Sequence, residues 1–433
     1  MNIRAIGFWI VDILTGCKVL KAYQNLKKID SLDCESDEFK EYTEKKIFDI
    51  LKHASKSTEF YLNKGLNLEE FSIINKVIIK ENNIISKQYK GKKVFEMSTS
   101  GSTGTPFTCY QDLVKKRNVN AEIIFYAEKV NYSIGNKLVF YRAMSKKIKK
   151  SKSKLKYYIQ NEKIVDINDL SGGKIKKIFD NLENENGAIT LAYASTYDAF
   201  KDYIIKNKTT LNQNINLRGM ISSAEMLYDK TRIIMEETFN CKCVSRYSNQ
   251  ENGIIGQDDD KNNIFYINDA NYLVEIFDMK EDKLLKLGEI GRIVVTDYHN
   301  KAMPMIRYDT GDIGSIEIIK KNNKNKRVIS NFSGRRIDMI YDINNNKVSP
   351  YSITNMMWEF QEIRQYQFIQ KNKGDYEIKL NVLKNFDKNQ ELITGFKDLL
   401  GKEIKIEIKI VKEIPVLSSG KRKYIINLME EGK

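Results

Sequence analysis

The chain has 433 residues, of which 41% are apolar and 30% are charged. This length exceeds one compact core and predicts two or three domains, and the composition excludes an intrinsically disordered chain. The formal charge of +15 leaves two interpretations open: a preference for anionic partners, or a solvated lysine-rich surface. Five cysteines without a CxxC pair are too few to crosslink such a chain, so we expect reduced thiols in a cytoplasmic protein.

The N-terminal segment Ile3–Leu20 is apolar around Phe8–Val11 but is interrupted by charged residues. It does not have the pattern of a signal peptide, and the chain contains no run of 18 apolar residues, so no transmembrane segment is expected. An amphipathic helix packed on the protein body is the favoured interpretation. A weak association with a membrane surface is the alternative.

Three zones follow one another along the chain. Residues 1–90 have a helical spacing of apolar residues. Residues 94–260 alternate short β-rich runs, such as Ala188–Tyr193, with longer helical stretches, such as Tyr197–Asn207, and such alternation indicates βαβ units. Residues 261–333 contain closely spaced strands, among them Gly314–Ile319, and the polar run Lys320–Lys326 predicts an exposed hairpin tip. Beyond Gly334, helices are expected over Ser352–Phe360 and Asn389–Leu400 among further strands. We therefore predict an α/β fold with a large N-terminal domain, 1–334, of mixed, mainly parallel sheets, and a small α+β domain, 335–433, joined to it by a hinge.

A hydroxyl-rich loop, Ser98–Pro106, holds six Ser or Thr residues and two glycines in nine positions. Val94–Met97 before it can form a strand, and Asp112–Val130 after it has a helical pattern. Glycines allow backbone N–H groups to approach a phosphate, and hydroxyls add donors. The loop lacks the GxxxxGK[ST] spacing of the common NTPases. From composition alone, a flexible connector is an equal alternative.

This loop resembles the TSG(S/T)TGxP signature of the adenylate-forming superfamily, which includes acyl- and aryl-CoA ligases. Most members have lysine after the proline, whereas this chain has Phe107, as in the phenylacetate-CoA-ligase and CapK-like capsular-biosynthesis branch. The resemblance implies that the loop binds the phosphates of ATP through Ser98, Ser100, Gly101, Ser102, Thr103 and Gly104.

Two further segments resemble superfamily motifs in the expected order. Ser222–Glu225 resembles the segment that lies against adenine, which implies nucleotide-binding roles for Ala224 and Glu225. The run from Tyr247 to Glu251 resembles the aromatic-x-x-x-Glu motif. It implies that Tyr247 packs near the nucleotide and that Glu251 is the ligand of Mg²⁺, a cation that prefers oxygen ligands.

Met305–Asp312 is close to the RYxTGD signature, which implies that Asp312 binds the ribose hydroxyls. Ser333–Asp338 resembles the interdomain hinge. There Arg335 takes the place of a nucleotide-contacting arginine, and Ile337 and Asp338 take the hinge positions. Ile337 replaces the usual first aspartate, and the asparagine turn 344–346 replaces a glycine loop along which pantetheine passes in CoA ligases.

Near the C-terminus, Ser419-Gly420-Lys421 matches the SGK motif, so the resemblance implies that Lys421 is catalytic together with Glu251. A lysine ammonium can stabilise the charge that develops between a carboxylate and the α-phosphate. The small domain is then expected to turn about the hinge between two half-reactions.

The resemblance implies an AMP-forming ligase that uses ATP and Mg²⁺ to activate a small carboxylic acid. The acceptor is an amine or a sugar in capsule or O-antigen assembly, or alternatively coenzyme A, as in aryl- and acyl-CoA ligases. No nucleic-acid partner is expected. A non-catalytic basic binding protein is the third hypothesis, disfavoured because Glu251, Asp312 and Lys421 are all present.

Overall fold

The protein is described from a computed structural model. The residues that it describes are 2–99, 107–142, 154–167, 170, 172–207, 215–259, 263–335, 340–345, 347–348, 353, 356–357, 359–360, 362–382, 386–415 and 423–429. The chain forms two compact units, one of Met1–Thr310 with Ser315–Ser330 and the other of Gly311–Gly314 with Asn331–Lys433.

The N-terminal part is helical, as its apolar spacing predicts. Its helices are α1 (Ile3–Leu14), α2 (Lys18–Ser31), α3 (Asp37–Ser57) and α4 (Lys76–Glu81), with 3₁₀ turns at Leu68–Glu70 and Lys87–Tyr89. Ser36 caps the longest of them by accepting from the backbone N–H of Phe39 at 3.4 Å. Asp37 and Glu38 place negative charge in its first turn, where the helix dipole favours it.

A small antiparallel hairpin, β1 (Phe95–Thr99) and β2 (Phe107–Gln111), flanks the hydroxyl-rich loop. The helix predicted over Asp112–Val130 is confirmed as α5 (Leu113–Glu128). Strand β2, which lies between the loop and this helix, was not predicted. Alternate residues of β2, among them Phe107 and Cys109, are buried in an apolar core with α3 and the chain at Met303–Tyr308.

An eleven-stranded sheet forms the centre of the first unit, in the order β10-β11-β12-β13-β9-β8-β7-β6-β5-β3-β4. Strands β3 to β7 pair in parallel, and the printed pairs β7/β8, β8/β9, β9/β13 and β10/β11 are antiparallel. This mixed sheet confirms the α/β fold class. The strands are β3 (Leu138–Arg142), β4 (Glu162–Asp166), β5 (Ala188–Tyr193), β6 (Leu217–Ser223), β7 (Lys242–Asn249), β8 (Gly253–Gln257), β9 (Phe265–Ile267), β10 (Tyr272–Phe277), β11 (Gly291–Asp297), β12 (Tyr308–Lys321) and β13 (Lys324–Arg335).

Four helices accompany the parallel half of this sheet: α6 (Lys154–Gln160), α7 (Gly172–Leu182), α8 (Ala194–Asn207) and α9 (Asp229–Phe239). The last three bury apolar residues in one core with the parallel strands. Helix α8 begins at Ala194, three residues before the predicted Tyr197, because β5 passes into it without a loop. Strand β12 also begins earlier than predicted, at Tyr308.

The polar run after β12 is a tight hairpin turn, as predicted. Asn322 and Asn323 both have positive φ, at 51° and 61°, which is the backbone of a two-residue turn that matches the twist of paired strands. Asparagine tolerates this conformation better than most residues.

The second unit has its own sheet, in the order β18-β17-β16-β19, covered by α10 (Asn389–Leu400). The strands of this sheet are β16 (Ile363–Asn372), β17 (Asp375–Val382), β18 (Lys405–Ile410) and β19 (Ile425–Asn427). Two further strands, β14 (Ile340–Tyr341) and β15 (Lys347–Val348), pair with each other. The sequence predicts α10 at these bounds but misses β19, a three-residue strand that pairs in parallel with β16. Most of the helix expected over Ser352–Phe360 lies outside the described residues.

All five cysteines are unpaired, in accord with the expectation of reduced thiols. Among the residues that the structure describes, no helix combines the length and the apolar character that crossing a membrane requires.

Candidate active site

Among the predicted site residues that the structure describes, Glu251 has the most deeply buried carboxylate. Its side chain is 3% exposed, at the turn that joins β7 to β8. The hydroxyl of Tyr308 donates to Glu251 Oε1 over 3.0 Å, and the ammonium of Lys76 lies 2.7 Å from the same oxygen. The amide of Gln111 donates to the backbone carbonyl of Glu251 at 3.3 Å. Two separate segments of the chain thus hold the carboxylate, and a third holds the backbone of Glu251.

Lys76 reaches Glu251 because the chain before α4 lies alongside the start of β12. The N–H of Ile74 donates to the carbonyl of Arg307 at 2.9 Å, and the N–H of Asp309 donates to the carbonyl of Ile74 at 2.8 Å. Asn75 then caps α4 by accepting hydrogen bonds from the backbone N–H groups of Val77 and Ile78. Sequence reasoning did not identify Lys76, since a lysine at the start of a short helix has no distinguishing signal among 72 basic residues.

Phe107 is buried at the start of β2, and the Lys76 ammonium lies 5.4 Å from the centroid of its ring. The cation beside this ring therefore comes from α4. Two positions along the strand, burial raises the pKa of the Cys109 thiol to about 12, and the Glu251 charge adds to this shift. Cys109 is therefore a core thiol and not a nucleophile.

Of the predicted phosphate loop, Ser98–Pro106, the structure describes Ser98 and Thr99, the last two residues of β1. Ser98 is exposed, and its hydroxyl lies 3.3 Å from that of Thr108 on β2. Ser100, Gly101, Ser102, Thr103 and Gly104 lie outside the described residues.

The segment after β6 has a constrained backbone. Ala224 has φ of +68°, a left-handed conformation that costs an alanine about 1 kcal/mol or more. Glu225 Oε2 accepts from the backbone N–H of Ser195, in the first turn of α8, at 2.8 Å. A carboxylate is favourable there because it satisfies a free N–H and faces the positive end of the helix dipole. The described contact of Glu225 thus positions this segment at the carboxyl end of the parallel strands, where α/β folds bind ligands.

Tyr247 is buried on β7, and its hydroxyl donates to Thr310 Oγ1 at 3.2 Å. Thr310 in turn donates to the carbonyl of Ile293 on β11 at 2.9 Å. The Tyr247 ring lies 6.1 Å from that of Phe265. These contacts connect the Tyr247–Glu251 motif to the Met305–Asp312 motif, two segments that the sequence analysis treated as separate matches.

Within the second motif, Arg307 has an internal partner. Its guanidinium forms two hydrogen bonds with the carboxylate of Glu275, at 2.9 and 3.3 Å, and it has a positive φ of 51°. A buried two-point ion pair of this kind holds the backbone at the start of β12 in place. The neighbouring Tyr308 can therefore direct its hydroxyl to Glu251.

Asp312 lies on β12, half-buried, in the short segment Gly311–Gly314 that groups with the second unit. Arg335 is the last residue of β13, and only its backbone is described. Ile337, Asp338 and Lys421 lie outside the described residues. The structure therefore describes the carboxylate part of the predicted site and leaves the roles of the hinge and of the catalytic lysine as predictions.

A buried polar network supports the hairpin and α5. Asp112 caps α5 by accepting from the N–H of Lys115 at 2.8 Å, and it also accepts from the N–H of Lys301. The Lys115 ammonium, fully buried, lies 2.7 Å from Asp297 and donates to the hydroxyl of Tyr272. Breaking a buried pair of this kind costs about 3–5 kcal/mol, so the network fixes the base of the loop.

Glu251 fits a magnesium site as a single carboxylate ligand. Mg²⁺ usually binds through one or two carboxylates together with phosphate oxygens and water. Within the described ranges, no cluster of three or more His, Cys, Asp or Glu side chains has the arrangement of a metal cage. A single carboxylate such as Glu251 suits a metal ion that shares its remaining ligands with phosphate and water.

Comparisons with known proteins identify similar sequences. Residues 340–428 match the sequence profile of the family described as the CapK C-terminal domain. The protein CapK of Staphylococcus aureus is 22% identical over 94% of this chain and 92% of its own length.

Solved structures share the fold. A 2-hydroxyisobutyryl-CoA ligase in its postadenylation state superposes with a TM-score of 0.73 at 12% identity, over 92% of this chain and 91% of that one. ATP-bound MatB from Rhodopseudomonas palustris has a TM-score of 0.54 at 14% identity, over 76% of this chain and 66% of that chain. The predicted resemblance to the CapK-like branch is thereby confirmed: residues 340–428 match the CapK C-terminal domain, and the chain shares the fold of solved adenylate-forming ligases.

Proposed function

We propose that this protein is an ATP-dependent, AMP-forming ligase that activates a carboxylic acid as its acyl-adenylate. The observation that carries the proposal is Glu251, a buried carboxylate held by Lys76 and Tyr308 beside the hairpin of the phosphate loop. Burying a charge is costly, and stability alone does not favour it. The fold shared with ligases crystallised with acyl-adenylates or ATP supports the same chemistry.

In the proposed first step, a carboxylate oxygen of the substrate attacks the α-phosphorus of ATP. The bond from that phosphorus to the bridging oxygen breaks, and pyrophosphate leaves with the electron pair. Glu251 is the residue that would hold Mg²⁺, which when bound supplies positive charge to the phosphate oxygens. The loop residues Ser98–Gly104 donate hydrogen bonds to phosphate, Ala224, Glu225 and Tyr247 border the adenine, Asp312 accepts from the ribose hydroxyls, and Arg335 contacts the nucleotide.

Lys421 is proposed to neutralise the charge that develops between carboxylate and phosphate. The test is ATP–pyrophosphate exchange with a panel of carboxylic acids, comparing Lys421→Ala with Lys373→Ala. The control removes an exposed lysine from a hairpin turn of the same unit. We expect the first variant to lose about a hundredfold or more of the exchange rate and the control to lose none. Equal rates for both variants would contradict the assignment.

For the second step, transfer to an amine or sugar acceptor in surface-polysaccharide assembly is the favoured proposal. The likeness to CapK supports it, as does the asparagine turn at 344–346 in place of a glycine loop. The structures of the 2-hydroxyisobutyryl-CoA ligase, two of which hold coenzyme A, favour the second candidate, an acyl-CoA ligase.

Pyrophosphate release measured with and without coenzyme A separates these two acceptors. The polysaccharide proposal predicts adenylation of an accepted carboxylic acid without consumption of coenzyme A. Consumption of one coenzyme A for each pyrophosphate released would instead establish the CoA ligase.

A further inference from the structure

Helix α1 has its apolar side chains on the outside. Ile3, Ile10 and Leu14 are exposed, from 49% for Ile10 to 84% for Ile3, and together with Gly7 they form one row along the helix. Val11 and Ile13 are exposed on either side of this row. The opposite side packs inward, where the ring of Trp9 lies 6.2 Å from that of Tyr23 on α2. Helix α1 is therefore anchored to the protein body and still presents an apolar row to solvent.

The acidic residue of this helix is turned away from that row. Asp12 is buried, and its carboxylate accepts from the N–H groups of Val19 and Leu20 at 3.0 and 2.9 Å. These bonds fix the first turn of α2, so the charge is used internally. Over residues 1–29 the chain has five basic side chains and one acidic side chain, and the acidic one is this buried aspartate. Lys27 and Lys28 pair with Glu128 and Glu38. The outer surface of α1 is apolar, and the exposed side chains of Arg4 on this helix and Lys18 at the start of α2 give it a cationic border.

Helix α6 continues this surface. The Arg4 guanidinium lies 5.7 Å from the centroid of the Tyr158 ring, which places the N-terminal end of α1 beside α6. Tyr158 is 73% exposed, and Ile159 and Lys156 are exposed as well. In the sequence, the stretch 146–156 that leads into this helix contains seven lysines and no acidic residue.

We propose that the outer faces of α1 and α6 form a binding surface for an anionic lipid bilayer. Helix α1 would lie in the plane of the bilayer, with its apolar row at the acyl boundary and with Arg4, Lys18 and Lys156 near the lipid phosphates. An apolar stripe with cationic borders is the pattern of helices that lie in a membrane interface. At twelve residues, or about 18 Å, α1 is too short to span the bilayer.

The charge distribution favours a lipid surface over a second copy of this chain. Two copies that met through this face would bring their cationic borders together, and like charges at an interface oppose association. An anionic bilayer supplies both the apolar layer and the opposite charge, and each lysine or arginine near such a surface adds to binding. This surface is separate from Glu251, and the inference does not depend on the proposed adenylation.

Flotation with lipid vesicles tests this inference on the full chain. One vesicle set contains phosphatidylcholine alone, and the other contains about one-third phosphatidylglycerol, enough to give the surface a negative potential. Ile10→Glu is compared with Ile233→Glu, which makes the same change at an isoleucine of similar exposure, 52%, on α9. We expect the wild type and Ile233→Glu to float with the anionic vesicles, and Ile10→Glu to bind at least about tenfold more weakly.

A second variant tests the charge. Lys18→Gln with Lys156→Gln should weaken binding to the anionic vesicles by about fivefold for each lysine, and raised salt should weaken it further. Thermal melts verify that each variant folds, and pyrophosphate release without vesicles verifies that the active site is intact. If no protein, including the wild type, released pyrophosphate, the proposed function would be refuted. The flotation result would still test the membrane surface, because it does not depend on adenylation.

Three results would overturn the inference. The first is a wild type that does not float with the anionic vesicles. The second is equal flotation of Ile10→Glu and Ile233→Glu. The third is a dimer in sedimentation that Ile10→Glu converts to a monomer while no form binds vesicles, which would assign the face to a second copy.

Discussion

Glu251 and the outer face of α1 are opposite exceptions to the usual distribution of side chains: at Glu251 a charged group is buried, and on α1 apolar groups are exposed. Around Glu251, a carboxylate and an ammonium lie within the first unit, next to the aromatic rings of Phe107 and Tyr308. On α1, isoleucine and leucine side chains face solvent. Neither arrangement favours the stability of an isolated chain, because buried charges are expensive to desolvate and exposed apolar rows remain hydrated. Both arrangements are therefore better explained by what each surface binds.

The largest expected effect is at the buried carboxylate. Glu251→Gln keeps the shape of the side chain but removes the charge that we assign to Mg²⁺. We expect the rate of ATP–pyrophosphate exchange to fall by about a hundredfold or more. Glu281→Gln, at an exposed glutamate, is the matched control and should have the wild-type rate. Full activity of Glu251→Gln would contradict this assignment, since the buried charge would then have no function in the reaction.

Lys76 gives a smaller and more specific effect. Its ammonium contacts the oxygen of Glu251 that we expect a metal ion to approach, and the pair is partly exposed, so the interaction is worth about 1 kcal/mol. Lys76→Met should therefore lower the Mg²⁺ concentration for half-maximal exchange by about fivefold. Magnesium titrations at constant free ATP measure this change. A higher requirement in the variant would show that Lys76 acts on the nucleotide instead.

The interior polar region also predicts a pH dependence of stability. Burial lowers the pKa of His299 to about 3, with the charges of Lys46 and Lys115 adding to the effect. Between about pH 3 and its ordinary value near 6.5, the unfolded state binds the proton and the folded state does not, so stability falls as the pH falls. His299→Phe should remove about 1.5 kcal/mol of the loss between pH 6.5 and pH 5. Parallel urea titrations of both proteins would show it, and identical pH slopes would contradict it.

The smallest effect is expected on α1. Ile10→Gln exchanges one exposed side chain for another, so the free energy of unfolding should change by no more than about 0.5 kcal/mol. A loss of 2 kcal/mol or more in urea unfolding would mean that Ile10 packs within the protein in solution. The contrast between the two regions would then disappear.

The sequence predicted the elements whose patterns are local. Strand β5 and helix α10 have the predicted bounds, because unbroken apolar periodicity sets them. Strand β2 was missed, since its five residues follow the proline of the loop directly and precede a strong helix signal. The three residues of β19 are too few to show a period.

Within the candidate site, the sequence order of motifs identified Glu251 and Tyr247, but it could not identify their partners. Lys76 meets Glu251 across 175 positions of chain, and only the pairing of Ile74 with the start of β12 brings them together. The sequence also could not predict that the apolar row of α1 is exposed. Periodicity shows that a helix has an apolar side, but it does not show which side packs inward.

The most direct test of the central claim is a crystal structure with a non-hydrolysable acyl-adenylate analogue. The account predicts that the ribose hydroxyls of the analogue contact Asp312 and that its phosphate lies between the Ser98–Pro106 loop and Glu251. An analogue bound away from Glu251, or one that does not bind at concentrations that saturate adenylate-forming ligases, would contradict it.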